Sequence, residues 1–224
     1  MNLYRFSHRP QRGLSLIELL VVIAIITAFF SILLPIRISA RARSERRRCA
    51  DNLKQTGVAW MLWDGDHSGD FPMSLPATNG GTLEFTTGPN AFRHFQIVSN
   101  ELVSPKFALC PSETDPGRFA MKSFAQFSNS NLSYFVGVVP NDCAPTMILS
   151  GDRNITNGMR LKNAVLGLTR NQPGGWTDDL HNDAGNILKA DGSVEQVATV
   201  QLRNLVASNV HLAETRLQMP VLDQ

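Results

Sequence analysis

The chain is short of cysteine, of internal repeats and of catalytic punctuation, and each shortage excludes something. Its three cysteines are Cys49, Cys110 and Cys143. Three are too few for a disulfide scaffold, and these are spaced too widely for a zinc knuckle. A Cys110–Cys143 bridge is open if the domain is exported to an oxidising compartment, with buried thiols as the alternative, because spacing alone does not set bridge geometry. No repeat of about 20 to 50 residues is evident, which removes solenoids and propellers. No nucleophile motif and no phosphate-cradling loop accompany the acidic clusters, so an enzyme is not expected.

Excess charge is also scarce, with a net of +2 in 224 residues. What charge there is lies unevenly: residues 1–48 hold nine Lys and Arg against Glu18 and Glu45, whereas residues 49–224 hold twelve against seventeen Asp and Glu. The basic residues gather beside an apolar run, where anionic lipid headgroups suit them better than nucleic acid, and no nucleic-acid partner is expected.

That apolar run is the strongest feature present. Residues 14–34 contain, besides Glu18, only Ser15, Thr27 and Ser31 as polar side chains. At about 1.5 Å per residue such a helix reaches roughly 30 Å, the thickness of a bilayer's hydrocarbon core. A carboxylate near its start costs roughly 2 to 3 kcal/mol, so something should offset Glu18. Beyond it, Cys49, Leu53, Thr56, Trp60 and Trp63 recur at helical spacing and mark one face of the same helix. The expectation is a helix from Leu14 to Trp63, bent at Pro35 and ended by Asp64-Gly65.

The rest of the chain reads as loops, with a second helix over "AFRHFQIVSNELVS" and strands at "LSYFVGVV", "TMILSG" and "GNILKADGSVEQV". In the last, Asp191-Gly192 suits a two-residue hairpin turn with positive φ. The fold class expected is α+β, a long N-terminal helix, partly transmembrane, packed on a small, mostly antiparallel sheet. Removing a leader and a span leaves material for one soluble domain.

Two acidic clusters invite a metal reading. "DGDHSGD" sets Asp64, Asp66, Ser68 and Asp70 at alternate positions with Gly69 sixth, like the start of an EF-hand loop. Its twelfth position is Leu75 and not a bidentate glutamate, so a solvated turn is favoured over calcium. In "WTDDLHNDAGN", Asp178, Asp179, His181 and Asp183 have ligand or acid/base chemistry, against a structural reading in which His181 hydrogen-bonds within its hairpin or meets a partner.

A short Arg-bearing leader ending in Gly13, then "LSLIELLVVIAII" with Glu18 fifth after that glycine, then Pro35, resembles a type IV prepilin or a type II secretion pseudopilin. Leu14 stands where that family most often has phenylalanine. Further stretches, "CADNLKQTGVAWMLWDGDHSGDFP", "LCPSE", "ILSGDRNITNG" and "DLHNDAGNILKADGSVEQV", are similar to pilin-like proteins with an H-X9-DG signature, here His181 followed by nine residues and then Asp191-Gly192.

The resemblance implies that a prepilin peptidase cuts after Gly13 and methylates the amino group of Leu14. It implies that Glu18 faces the Leu14 ammonium of a neighbouring subunit, an ion pair that offsets its burial. It divides the chain into a leader over 1–13, a helix over 14–63 with 14–34 in the inner membrane, and an exported head over 64–224. Partners implied are the peptidase, other pilin-like subunits, the inner-membrane assembly machinery and membrane lipids, with no cofactor required. Two readings compete. Ala40–Ala42, "ARA", resembles a secretory cleavage site that would start the mature chain at Arg43, and a metal-binding module or anchored enzyme is the alternative for the head. Counting charges, with three Arg before the span and six after, would place the head inside; prepilin processing overrides that count by fixing the leader in the cytoplasm.

Overall fold

A computed structural model describes residues 15–141, 143–208 and 214–222, and for residues 32–40 the backbone alone. Gly13 and Leu14 therefore lie outside the described residues, as does the side chain of Pro35. The chain divides into two units, Met1–Arg41 and Ala42–Gln224.

Helix α1 spans Leu16–Asp66, with helical backbone running through residue 35. It ends three residues beyond the expected Trp63, because Asp64-Gly65 stays helical and the stop comes at Ser68 and Gly69, which take left-handed backbone at φ 65° and 89°. The amide of Gly69 then donates to the Asp64 carbonyl at 3.1 Å, closing the helix end. The periodic face is as read: Cys49, Leu53, Thr56, Trp60 and Trp63 are all buried.

Against that face lies a six-stranded sheet in the order β4-β8-β1-β2-β6-β7, with β1 Tyr134–Gly137, β2 Ile148–Asp152, β4 Val165–Leu168, β6 Ala184–Lys189, β7 Val194–Ala198 and β8 Thr215–Gln218. Every ladder in it is antiparallel. A two-stranded ribbon, β3 Ile155–Thr156 with β5 Gly175–Trp176, stands apart from it. The sheet is covered on both faces, which strand alternation makes possible. Tyr134, Val136, Leu149 and Leu188 pack with Cys49, Leu53 and Trp60 of α1. Their strand neighbours Phe135, Ile148 and Ile187 pack with Trp176 and with Leu202 and Val206 of α3, Thr199–Ser208.

The second helix shrinks to one turn, α2 Arg93–Gln96. Phe95 within it and Val98 and Leu102 beyond it are buried. The chain continues as turns and leaves helical backbone altogether at Val103, left-handed at φ 56°, and at Ser104, held extended before Pro105. The cysteine expectation is also corrected. Cys110 pairs with Cys49, Cα atoms 5.0 Å apart, and not with Cys143.

Candidate functional site

Within the N-terminal unit, the described residues Leu16, Ile17, Leu19, Leu20, Phe29 and Phe30 are each more than half exposed. Glu18 has a local role that explains its place. The Ser15 amide and hydroxyl donate to Glu18 Oε2 at 2.8 and 2.9 Å, and the Glu18 amide donates back to Ser15 Oγ at 3.3 Å. This reciprocal capping box satisfies helix-start donors that an apolar surrounding would leave unpaired. Thr27 and Ser31 donate to carbonyls three residues back, so their hydroxyls are also satisfied within the helix. Among the described residues, no helix is long and apolar enough to cross a membrane.

In the second unit, the His181-to-Gly192 segment runs beside the head part of α1 and touches it at both ends. Next to His181, its Nε2 stands 3.5 Å from Sγ of Cys110, which is bonded to Cys49 of α1. Midway, Leu188 lies over Gly57, where a Cβ would sit 2.7 Å from Leu188 Cδ1. At the far end, Gly192 faces Met61 so closely that a Cβ would come within 2.5 Å of the Met61 sulfur. The twelve helical steps from 49 to 61 span about 18 Å. That is close to the roughly 20 Å of the six-residue strand β6. The signature residues thus sit at the two ends of one helix-to-strand contact.

The turn differs from the expected two-residue hairpin. Lys189 donates to the Ser193 carbonyl at 2.9 Å and Gly192 to the Lys189 carbonyl at 3.0 Å, so the loop is Ala190-Asp191-Gly192. Only Gly192 carries positive φ, 77°. This is the three-residue loop in which a type I turn is followed by a left-handed glycine. Asp191 accepts from the Ser193 amide at 2.9 Å, and Ser193, through its side chain first and its amide second, holds the Asp191 carboxyl below the usual range. At the other end Asn182 and Asp183 are both left-handed, φ 52° and 57°, and swing His181 inward ahead of β6.

The interior around His181 holds the strongest electrostatics of the head. Asp152, fully buried on β2, accepts from the Asn186 amide at 2.6 Å and from Asn186 Nδ2 at 2.8 Å, and its Oδ2 lies 3.4 Å from His181 Nε2. Burial pushes the Asp152 carboxyl up to about 7, against the pull of Asn186 and of Arg46. Burial, helped by the charge of Arg46, pushes His181 down to about 4. At neutral pH His181 is therefore neutral, and its 3.4 Å approach to Asp152 is not an ion pair. Beside it Glu113 takes Arg153 in a bidentate contact and the Ser133 hydroxyl at 2.7 Å; despite desolvation these bonds lower its carboxyl.

The remaining sequence candidates are placed as follows. Asp64 and Asp66 are in the last turn of α1 and Asp70 follows the Gly69 stop, while His67 stacks on Trp63 with ring centroids 3.6 Å apart. Burial and the charge of Asp70 raise the Asp64 carboxyl. Among the described residues, the one group of three potential ligands whose donor atoms lie within 4.8 Å of one another is Cys49, Cys110 and His181. It includes none of these aspartates. Asp178 and Asp183 are not in that group, and Asp179 accepts from the Thr177 hydroxyl. Sequence reasoning missed Asp152 and Asn186, which are paired only through the β2–β6 ladder. It also missed the capping box, for which Ser15-x-x-Glu18 was a readable signal.

Residues 8–34 match the family model described as the prokaryotic N-terminal methylation motif. The chain carries a prepilin-type N-terminus. This supports a type IV pilin-like protein processed by a prepilin peptidase, and it points to a structural subunit. The motif covers Ser15 and Glu18 and the exposed apolar residues that follow them. No curated protein matches the chain, and no solved structure does.

Proposed function

We propose that the chain is a pilin-like or pseudopilin-like subunit, cut between Gly13 and Leu14, methylated on Leu14, held in the inner membrane by residues 14–34, and assembled into a filament through its apolar helix. The observation that carries this reading is the methylation motif over residues 8–34, with Glu18 in register. The exposed apolar residues of α1 supply a surface that needs lipid or neighbouring helices around it. In a packed bundle, Glu18 pairs with the Leu14 ammonium of a neighbour, while the Ser15 cap keeps the carboxylate aimed at the helix start. The inner-membrane assembly machinery and anionic lipids, facing Arg41 to Arg48, are the other partners.

The test is Glu18→Leu in cells that carry the native machinery, followed by a cleavage assay and by crosslinking between subunits. Cleavage should survive, because the cut is at Gly13. Crosslinked multimers should fall at least about tenfold, because a buried ammonium without its counter-charge costs several kcal/mol. Normal multimers from cleaved Glu18→Leu protein would overturn the pairing.

A further inference from the structure

The head carries two unpaired charge clusters of opposite sign at separated places on its sheet, and the filament reading uses neither. We propose that the acidic loop 178–183 of one subunit docks in a basic groove beside β4 of a second copy of the chain; this rests on the filament reading for the assembly of copies and gives that assembly a contact between heads.

The groove, of about 410 Å³, lies against the edge strand β4, with Arg160, Lys162 and Arg216 among its lining residues. Arg216 of β8 stands opposite Gly167 of β4, and Lys162 stands opposite Val165. All three cations are exposed, and none has an ion pair or a side-chain hydrogen bond among the described residues. Glu214 is the one carboxylate among the described lining residues and occupies space that a side chain at Gly167 would need, so three cations less one carboxylate leave the groove at +2. Strand addition is blocked on this edge. Val165 exchanges backbone hydrogen bonds with Lys162 at 3.0 and 3.1 Å, and Asn157 Nδ2 donates to the Gly167 carbonyl at 2.8 Å. What the groove offers a partner is therefore side-chain charge.

The occupant is a preformed acidic knob. Asn154 Nδ2 donates to the carbonyls of Thr177 and Ala184 at 2.8 and 3.0 Å and so pinches together the two ends of loop 178–183. Within the loop Leu180 and His181 are buried, while Asp178, Asp179, Asn182 and Asp183 are exposed. Asp178 and Asp183 have neither an ion pair nor a side-chain hydrogen bond among the described residues, and the Asp179 carboxylate accepts only from the Thr177 hydroxyl. Three carboxylates on a loop whose shape is set before contact lose little conformational entropy on docking. Their sign is the complement of the groove's.

The knob leads into β6 and the groove borders β4, four strand spacings away in the sheet, or about 19 Å. Within one head the two do not meet, so each needs another molecule to neutralise it. A contact between unlike patches on successive copies is heterologous, and it repeats into an open helical array when its rotation does not close. That is the symmetry a filament requires. The loop that turns His181 inward to the disulfide thus presents its carboxylates outward to the neighbour.

The test is carbodiimide coupling, which joins a lysine amine to a carboxylate in contact with it, on membranes from cells that carry the native assembly machinery. A photoreactive residue in place of Phe29 reports helix-to-helix contact separately. Peptide mass spectrometry should find Lys162 joined to Asp178, Asp179 or Asp183 in species that run as dimers or larger on a denaturing gel. Arg216→Glu should lower that product at least about fivefold, and adding Asp178→Arg to the same chain should restore it in part. Helix crosslinks without the Lys162 product, a product confined to monomers, or indifference to Arg216→Glu would overturn the docking and leave the filament reading standing. Loss of both kinds of crosslink in the parent would overturn the docking together with that reading.

Discussion

At the residue scale, Gly192 and His94 show how single positions hold the head together. Gly192 has two constraints, a left-handed φ of 77° and the Met61 sulfur where a Cβ would go. Gly192→Val should therefore destabilise the chain by roughly 2 to 4 kcal/mol, combining backbone strain with overpacking against α1. Denaturant unfolding checks this, and an unchanged midpoint would mean that the hairpin does not bear on the helix.

His94 is fully buried, its Nε2 2.8 Å from Gln218 Oε1 and its Nδ1 2.6 Å from the Thr82 hydroxyl. Gln218 Nε2 donates to the Phe85 and Gly88 carbonyls, so its Oε1 is the acceptor and His94 Nε2 carries the proton. Burial lowers the His94 pKa from 6.5 to about 4. As pH falls through 6.5 the unfolded chain binds a proton that the folded chain refuses until about 4, so this contribution to stability is full above that window and lost within it. Between pH 7 and pH 5 the parent should lose about 2 kcal/mol more than His94→Gln does, measured by denaturant unfolding at each pH. Equal losses would contradict a neutral buried His94.

At the element scale, the Cys49–Cys110 bond closes a loop of 61 residues between α1 and the segment before β1. Reduction should cost about 2 to 5 kcal/mol of stability, visible as a lower melting temperature. An unchanged melting temperature would show that packing alone fixes the helix.

This bond also marks where sequence reading stopped. The helix face from Cys49 to Trp63, the three strand stretches and the Asp-Gly hairpin were legible because periodicity and turn chemistry are local. The partner of Cys110 was not, since it depends on which faces the sheet and helix bring together. Strands β4 and β8 and helix α3 were missed for a related reason. "VLGL" and "TRLQ" are four residues each, and become strands only through pairing with one another and with β1. The Asp152–Asn186–His181 contact lies across a ladder, so nothing in the spacing of 152, 181 and 186 announces it. The signature itself was visible as a pattern, while its two contacts with α1, through the disulfide and through Met61, needed the fold.

At the scale of the whole molecule, two units carry two tasks. Residues up to Arg41 hold the methylation motif and the exposed apolar helix, and Ala42–Gln224 holds a head with its own two-faced core. The proposed division of labour, anchoring and assembly by the first and a braced surface by the second, begins with one covalent event, the cut after Gly13. Intact-mass and peptide mass spectrometry of the chain recovered from membranes of cells with an active prepilin peptidase tests that event directly. The mature chain should lack residues 1–13 and begin at Leu14 bearing one methyl group on its amino nitrogen. A chain that still begins at Met1, or one that begins at Arg43 after a secretory cut, would contradict the account.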